Sequence, residues 1–217
     1  MTHDERMERF LQAGLYLVTS SVVSGGRSTE EIVRLALAGG VTLVQLREKD
    51  LPPDEFSALA RTVRGLTAAA GALLIINDRL DVALNVDADG VHLGRQDMPV
   101  REARKLGPDL VIGASSHSVD EARQACADGA SYVNIGPLFP TSTKEWRGEF
   151  LGWEGLEEIS KVMTVPFTVM GGIKERHIPR LVAAGARTIA VVTAVTAADD
   201  PKRAAEELLQ CIETGHC

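Results

Sequence analysis

Residues 41–77 read VTLVQLREKDLPPDEFSALARTVRGLTAAAGALLIIN, and this stretch decides the fold. Two apolar runs of strand length, 41–46 and 72–76, flank a helical stretch that begins at Pro53 and ends before Gly71. Runs that are apolar throughout, rather than at every second residue, are typical of strands buried on both faces of a sheet. The stretch therefore predicts two parallel strands joined by a helix.

The same unit recurs along the chain. Further strands are predicted near 15–19, 90–93, 110–114, 131–135, 166–170 and 187–192. Helices are predicted near 3–13, 28–39, 79–86, 99–106, 118–128, 153–162, 175–184 and 200–213. Eight strand–helix units in 217 residues predict an α/β fold, a single (β/α)8 TIM-barrel domain over 1–217 with a short N-terminal helix. A doubly wound open sheet fits less well, because no G-x-G-x-x-G motif follows the first strand.

Composition restricts the class of partner. The chain has a net charge of −7, with 45% hydrophobic and 4% aromatic residues. The negative charge argues against nucleic acid or an anionic membrane as the main partner, and so few aromatic residues leave no base-stacking surface. Small-molecule substrates are the expected partners. The sequence leaves the oligomeric state open, although the outward helices of such barrels often pair into homo-oligomers.

The chain carries no sign of export. Residues 1–10 are charged and polar, unlike a signal peptide, and no apolar run approaches the roughly 20 residues of a membrane span. The three cysteines, Cys126, Cys211 and Cys217, lack the spacing of a metal site or a disulfide framework. We therefore expect a cytoplasmic protein with reduced cysteines.

Charged side chains follow the second predicted strand, at the end of the barrel where TIM barrels carry their chemistry. Alternation along the strand directs Gln45, Arg47 and Lys49 to the same side. An amide, a guanidinium fork and an ammonium aimed into the barrel mouth suit a polyphosphate. The alternative is a solvated loop in which Glu48 pairs locally, but inward charges are costly unless a ligand pairs them.

Two aspartates follow the third and fourth predicted strands. Asn77 and Asp78 end the third strand, and Asp97 lies in the turn after His92. Mg²⁺ prefers oxygen ligands and commonly shares them with a substrate phosphate, so Asp78 and Asp97 are candidate ligands for Mg²⁺. As alternatives, the two aspartates are candidate N-caps of the helices that follow them, and His92 is a hydrogen-bonded structural histidine.

The remaining strand ends offer binders for a second anion. Hydroxyl and ammonium donors follow the fifth and sixth strands: Ser115, Thr141, Thr143 and Lys144. The last three lie in loop 141–152, whose length within a compact domain indicates a function. Turns of small residues follow the seventh and eighth strands, where TIM barrels usually bind phosphate: Gly171, Gly172, Val192 and Thr193.

Two anion sites in one barrel indicate a transfer between two substrates with a diphosphate leaving group. The residues offer no nucleophile–base pair, so no covalent enzyme intermediate is expected. Catalysis would then consist of positioning the substrates and of stabilising the departing diphosphate by Mg²⁺, Arg and Lys.

Six motifs occur at the predicted strand ends: VQLREK at 44–49, IND at 76–78, DGVHLG at 89–94 with Asp97, GAS at 113–115 with His117, GPLFPTSTK at 136–144 and GGI at 171–173. Taken together, they resemble the thiamine-phosphate synthase family over nearly the whole chain. That family joins 4-amino-5-hydroxymethyl-2-methylpyrimidine diphosphate to a thiazole phosphate, commonly in carboxylated form. It releases diphosphate, together with CO₂ from the carboxylated substrate. The resemblance implies a transferase of thiamine biosynthesis.

The resemblance also implies a role for each matching residue. Mg²⁺ would be held by Asp78 and Asp97. The pyrimidine diphosphate would be held by Gln45, Arg47, Lys49, Asn77 and Ser115, with Lys144 reaching the diphosphate. The catalytic set would be Arg47, Lys49, Ser115 and Lys144. The thiazole would lie close to Thr141 and Thr143, with its phosphate on Gly172, Val192 and Thr193.

The sequence departs from the family pattern at two places. Residues 145–150 read EWRGEF, which is bulkier and more charged than the small, flexible loop expected there. Thr193 stands where a serine is usual, a change that keeps the hydroxyl. The first departure leaves loop closure and the form of the thiazole substrate open.

The same residues allow two functions other than that of the synthase. One is a thiazole tautomerase, an isomerase that would use His117 as an acid–base group without metal. The other is a non-catalytic barrel that binds thiamine precursors for regulation. Lys49, Asp97 and Lys144 together favour the synthase, because a tautomerase has no diphosphate to bind and a regulatory barrel would be expected to lose them.

Overall fold

A closed parallel barrel forms the centre of the protein. The computed structural model describes residues 1–141, 143 and 148–217. Within them, neighbouring strands pair in parallel in chain order and the last strand pairs with the first. The strands are β1 Leu15–Val18, β2 Leu43–Leu46, β3 Leu73–Asn77, β4 Gly90–Leu93, β5 Val111–Ser116, β6 Tyr132–Ile135, β7 Phe167–Val169 and β8 Thr188–Val191. The predicted TIM barrel is confirmed, and the open-sheet alternative is wrong.

Helices surround the barrel at the predicted places. They are α1 His3–Gln12, α2 Thr29–Ala38, α3 Pro53–Ala69, α4 Leu80–Asn85, α5 Val100–Leu106, α6 Val119–Ala127, α7 Gly152–Ser160, α8 Ile178–Ala183, α9 Thr193–Thr196 and α10 Pro201–Thr214. The helix predicted near 175–184 is a 3₁₀ turn, Glu175–His177, followed by α8. The four-residue α9 was not predicted, because it is too short to show a helical period.

The N-terminal helix α1 closes the floor of the barrel. Thr2 caps this helix and forms a capping box with Glu5. The helix buries Phe10 completely, with its ring centroid 4.5 Å from that of Tyr132 and 6.1 Å from that of Tyr16. Both tyrosines point into the barrel, so the inner core is an aromatic cluster that α1 covers from below.

A buried ion cluster fixes α1 against the floor. Asp89 is fully buried and accepts hydrogen bonds from Arg64 Nη1 at 2.8 Å and from the Leu74 N–H at 2.9 Å. Arg6 of α1 brings Nε to 3.5 Å from Asp89 Oδ1 and donates from Nη1 to the Asp109 carbonyl at 2.9 Å. A buried carboxylate of this kind is tolerated because it is both paired and hydrogen-bonded.

The expectation that all three cysteines are reduced is wrong for two of them. Gly215 adopts a left-handed conformation, with φ of 70°, and ends α10. The turn brings Cys217 back to Cys211, and the structure joins the two in a disulfide with their Cα atoms 4.7 Å apart. Cys126 is free. No helix in the described part of the chain is long and apolar enough to cross a membrane.

Removing the Phe10 side chain from the aromatic cluster should destabilise the barrel. We expect Phe10→Ala to lower the free energy of unfolding by about 3–5 kcal/mol, because it leaves a cavity that the strands cannot close. Leu11 of the same helix is 42% exposed and serves as the matched control. Leu11→Ala should cost less than about 0.5 kcal/mol in the same urea titration. Equal losses in the two variants would contradict the role assigned to Phe10.

Candidate active site

The carboxyl ends of the strands surround a cavity at the barrel mouth. Strand ends on opposite sides of the barrel contribute to its wall, as in other TIM barrels. The lining includes Arg47, Ser115, His117, Asn134, Thr141, Thr143, Gly171, Gly172, Val192 and Thr193. Seven of the residues predicted from sequence to bind substrate or catalyse line this one space.

The first candidate metal ligand, Asp78, lies directly after β3 in a left-handed conformation with φ of 62°. Its N–H donates to the His92 carbonyl at 2.8 Å, which fixes the turn against β4. Its carboxylate lies 3.1 Å from Lys49 Nζ. The N-cap alternative for Asp78 is wrong, because α4 begins at Leu80 with Arg79 in the cap position.

The second candidate ligand, Asp97, lies in the turn after β4. Its Oδ2 accepts a hydrogen bond from the Gly94 N–H at 2.7 Å. A Cβ on Gly94 would lie 2.9 Å from that oxygen, so a glycine is needed for this close approach. The N-cap alternative for Asp97 is also wrong, because Pro99 occupies the position before α5.

The two carboxyl groups lie side by side. The pKa of Asp97 is raised, first because of burial and then because of a hydrogen bond to Asp78, whose negative charge acts in the same direction. The backbone N–H of Gly94 and the charge of Lys49 oppose this rise. Adjacent carboxylates repel each other, so the pair favours either a shared proton or a cation.

The end of β2 directs Arg47 and Glu48 to opposite sides, as the alternation predicted. Arg47 lines the cavity, where burial lowers the pKa of its guanidinium and the charge of Asp78 opposes that effect. Glu48 points the other way and is buried, accepting hydrogen bonds at 2.8 Å from the Ser21 N–H, the Ser21 hydroxyl and the Thr29 hydroxyl. The alternative of a solvated loop in which Glu48 pairs locally is wrong, because Glu48 is buried and bound to Ser21 and Thr29.

A chain of hydrogen bonds runs beneath the mouth. Gln45 Nε2 donates to the Tyr16 hydroxyl at 2.7 Å, and the two tyrosine hydroxyls are 2.8 Å apart. The Tyr132 hydroxyl lies 3.0 Å from His92 Nδ1, and His92 Nε2 lies 3.0 Å from Ser115 Oγ. Burial lowers the pKa of His92 to about 4, an effect that the charge of Asp78 opposes. His92 is therefore a neutral ring with both nitrogens hydrogen-bonded, as the structural alternative proposed.

The opposite wall of the cavity is built from backbone. Gly171 and Gly172 have φ of 102° and 62°, and a Cβ on Gly172 would collide with the carbonyl oxygens of Phe139 and Pro140. Only glycine therefore lets this turn approach the loop after β6 so closely. Thr193 begins α9 beside the turn, so N–H groups and a hydroxyl converge there.

Three other predicted residues stand as follows. Asn77 is the half-buried last residue of β3. The Thr141 hydroxyl accepts a hydrogen bond from the Thr143 N–H at 3.2 Å. Lys144, expected in the catalytic set, lies outside the described residues.

His117, the acid–base group of the rival tautomerase, is held by the helix that follows it. Its N–H donates to the Glu121 carboxylate at 2.8 Å, and its Nδ1 lies 3.1 Å from the same oxygen. Arg95 pairs with the other oxygen of Glu121 at 2.9 Å. His117 therefore lines the cavity in a fixed orientation.

Sequence reasoning missed three residues of the site. Asn134 lines the cavity from β6, and its Oδ1 accepts a hydrogen bond from the Thr168 hydroxyl at 2.9 Å. Tyr16 and Tyr132 are the two tyrosines of the chain, and both are fully buried inside the barrel. The signal for all three was available, because each is a polar side chain within an apolar strand, at an inward position of the alternation.

Comparison with known proteins identifies the class and then the family. A family model described as thiamine monophosphate synthase matches residues 15–195. A thiamine-phosphate synthase of Moorella thermoacetica is 46% identical over 202 residues, 93% of this chain and 96% of that protein. One from Chloroflexus aurantiacus is 45% identical over 194 residues, 89% of this chain and 90% of that protein. A thiamine phosphate pyrophosphorylase structure from Pyrococcus furiosus superposes with a TM-score of 0.87 at 38% identity, covering 96% of this chain and 98% of that one.

The fold and these matches define a TIM-barrel transferase. The chain belongs to the thiamine monophosphate synthase family, whose members act in thiamine biosynthesis. The resemblance seen in the sequence motifs is thereby confirmed.

Burial of neutral His92 should make stability depend on pH. Its pKa falls from 6.5 to about 4 on folding, so the unfolded chain binds more protons between these values. Stability is then fully present above pH 6.5 and is lost as the pH falls towards 4, by about 3 kcal/mol from this group. Urea unfolding at several pH values should show a steeper decline for the wild type than for His92→Gln, which does not titrate. Parallel declines would contradict the assignment.

Proposed function

We propose that this chain joins 4-amino-5-hydroxymethyl-2-methylpyrimidine diphosphate to a thiazole phosphate, yielding thiamine phosphate and diphosphate, with CO₂ as well when the thiazole is carboxylated. One observation carries the proposal. The same mouth has a charged side with paired carboxyl groups, Lys49 and Arg47, and a backbone side at Gly171 and Gly172. Two anionic substrates of different charge would find different binders at the carboxyl ends of one barrel.

The charged side supports a diphosphate with a divalent cation. Asp78 and Asp97 offer carboxylate oxygens at adjacent positions, the donor type that Mg²⁺ prefers. Burial and then the neighbouring Asp78 raise the pKa of Asp97, and a bound cation would offset the repulsion between the two carboxylates. The donor set therefore fits Mg²⁺, with Lys49 and Arg47 as further positive charges for the diphosphate oxygens.

The backbone side supports the thiazole phosphate. A glycine turn and the N–H groups and hydroxyl at the start of α9 suit a monophosphate, because they donate hydrogen bonds without adding a cation that would compete for diphosphate. Val192 and Thr193 supply one edge of this site and Gly172 the other. Thr141 and Thr143 line the same cavity, and the thiazole ring would contact them.

The reaction would need no protein base. The bond between the pyrimidine methylene carbon and the diphosphate oxygen breaks, and both electrons leave with the diphosphate. The electron-rich aminopyrimidine stabilises the resulting methylene cation, and the thiazole nitrogen lone pair forms the new C–N bond. When bound, Mg²⁺ would neutralise charge on the diphosphate.

The chain's own residues would position the substrates and stabilise charge. Arg47 and Lys49 hold the diphosphate oxygens as charge moves onto them, and Lys144 would do the same from the loop. Asn77, Gln45 and Ser115 orient the pyrimidine substrate. A fixed geometry of this kind raises the rate, because the entropy cost of bringing the two substrates together is met when they bind.

The direct test mixes the purified protein with both substrates, with and without Mg²⁺, and measures diphosphate release. Release that requires both substrates and the metal is the expected result. Thiazole isomerisation that ignores Mg²⁺ would instead identify a tautomerase that uses His117. Binding of both compounds without turnover would identify a regulatory barrel. Either outcome would overturn the proposal.

Asp97→Asn isolates the metal-binding role. The amide keeps an oxygen that can accept from the Gly94 N–H but removes the charge, so the turn should persist. We expect kcat to fall by about 100-fold or more, while the Kd of thiazole phosphate changes less than about twofold. Asp97→Ala should abolish turnover with the same selectivity. Equal loss of turnover and thiazole binding would point to misfolding or to another site.

Thr193→Ala is the matched variant on the other side of the mouth. Loss of one hydroxyl donor to a charged phosphate should raise the KM of thiazole phosphate by about tenfold. The Mg²⁺ concentration needed for half-maximal rate should stay unchanged, because Thr193 lies on the side away from the carboxyl pair. Steady-state kinetics with each substrate varied in turn measures both quantities. A changed Mg²⁺ requirement would contradict the separation of the two anion sites.

A further inference from the structure

The hydrogen-bonded chain runs through the barrel interior from Gln45, which is buried beneath the mouth, to Ser115, which lines the cavity. Four contacts of 2.7, 2.8, 3.0 and 3.0 Å link Gln45, Tyr16, Tyr132, His92 and Ser115 in that order. The two tyrosines are fully buried, and His92 and Gln45 are almost fully buried. We call these five residues the relay. Its two ends are substrate-binding residues of the proposed function, whereas its three middle members are not.

When Gln45 Nε2 faces Tyr16, the number of hydrogens on each residue fixes the direction of every hydrogen bond in the relay. Gln45 Nε2–H donates to the Tyr16 oxygen, so the one hydrogen of Tyr16 is left for the Tyr132 oxygen. Tyr132 must then donate to His92 Nδ1, which therefore carries no hydrogen. The hydrogen of neutral His92 lies on Nε2 and is donated to Ser115 Oγ. The hydroxyl hydrogen of Ser115 is thereby left for the mouth.

The opposite direction requires the Gln45 amide to turn over. If Oε1 faced Tyr16, each hydrogen along the relay would point the other way, and Ser115 would donate to His92 Nε2. Ser115 would then offer the mouth lone pairs only, and Gln45 would offer it an NH₂ group. The orientation of the Gln45 amide therefore determines whether the Ser115 hydroxyl donates to His92 or to the mouth.

The surrounding backbone leaves room for this arrangement. A Cβ at position 113 would collide with the Tyr132 ring and with His92 Nδ1. Gly113 sits in β5, two residues before Ser115, at a position where φ does not require glycine. The space that the missing side chain leaves is occupied by the middle of the relay, so the strand is shaped around it.

We propose that Tyr16, Tyr132 and His92 are positioning residues that fix Ser115 as a hydrogen-bond donor and Gln45 Oε1 as an acceptor at the mouth. This inference rests on the proposed function, in which Gln45 and Ser115 contact the pyrimidine diphosphate. Gln45 Oε1 and the Ser115 hydroxyl together select one kind of substrate. It offers Gln45 a hydrogen-bond donor, such as an exocyclic amine, and offers Ser115 an acceptor atom. A substrate with an acceptor in place of the amine leaves Gln45 Oε1 unpaired and binds less tightly.

The direction of the relay can be read without any substrate. Nitrogen-15 NMR of the histidine rings distinguishes the two neutral tautomers, and the His92 signal is identified by its loss in His92→Gln. At neutral pH we expect the Nε2–H tautomer in the wild type and a mixture of both tautomers in Tyr16→Phe, because the link from Gln45 to Tyr132 is lost. Tyr132→Phe should change the signal, because Nδ1 loses its donor. An Nδ1–H tautomer in the wild type would overturn the assigned direction.

A double-mutant cycle shows whether Tyr132 acts through Ser115. Tyr132→Phe should lower kcat/KM for the pyrimidine diphosphate by about tenfold and leave the KM of thiazole phosphate unchanged, since one hydrogen bond is lost. In a Ser115→Ala background the same change should cost less than about twofold, because the hydroxyl it orients is gone. Fully additive effects would reduce Tyr132 to a structural role. Absence of turnover in the wild type would instead reject the proposed function, and the tautomer measurement would still test the relay.

Discussion

The proposed chemistry of the barrel mouth depends on two carboxyl groups that are held next to each other. Asp78 and Asp97 come from different strand ends, and each is fixed by backbone: one by a left-handed turn against β4, the other by the Gly94 N–H. Holding like charges together is unfavourable, and the charge of Asp78 adds to burial in raising the pKa of Asp97. The nearby cation Lys49 reduces this cost, and a divalent ion shared with a substrate diphosphate would remove it.

The rest of the structure serves to keep that pair rigid. The closed barrel fixes the spacing of strand ends, α1 and the ion cluster around Asp89 close its floor, and Glu48 clamps the start of α2 behind β2. Inside, the relay couples Gln45 to Ser115 directly below the cavity. A site built on strands and supported by buried hydrogen bonds is preorganised, and this suits a reaction that relies on positioning rather than on a protein base.

The sequence allowed the barrel and half of the mouth to be predicted for physical reasons. Continuous apolar runs and Gly-terminated helices repeat at a regular interval, so the parallel sheet follows from burial on both faces. Alternation placed Arg47 in the cavity correctly, because direction along a strand has period two. What failed depends on contacts between distant residues: the Tyr16–Tyr132 pair joins positions 116 residues apart, and Asp78 resembles an N-cap until its φ is known. The Cys211–Cys217 bond likewise depends on a turn at Gly215.

The most direct measurement follows Mg²⁺ binding by calorimetry in two buffers of different ionisation enthalpy. Burial and the neighbouring Asp78 raise the pKa of Asp97, so a cation that binds at this carboxyl group displaces a proton as the pH is lowered. The account predicts that Mg²⁺ binding in the presence of pyrimidine diphosphate releases protons at the acidic end of a pH series, and that Asp97→Asn abolishes both the binding and the release. Binding of equal strength in Asp97→Asn, or binding without proton release in the wild type, would contradict the assignment of the carboxyl pair as the metal site.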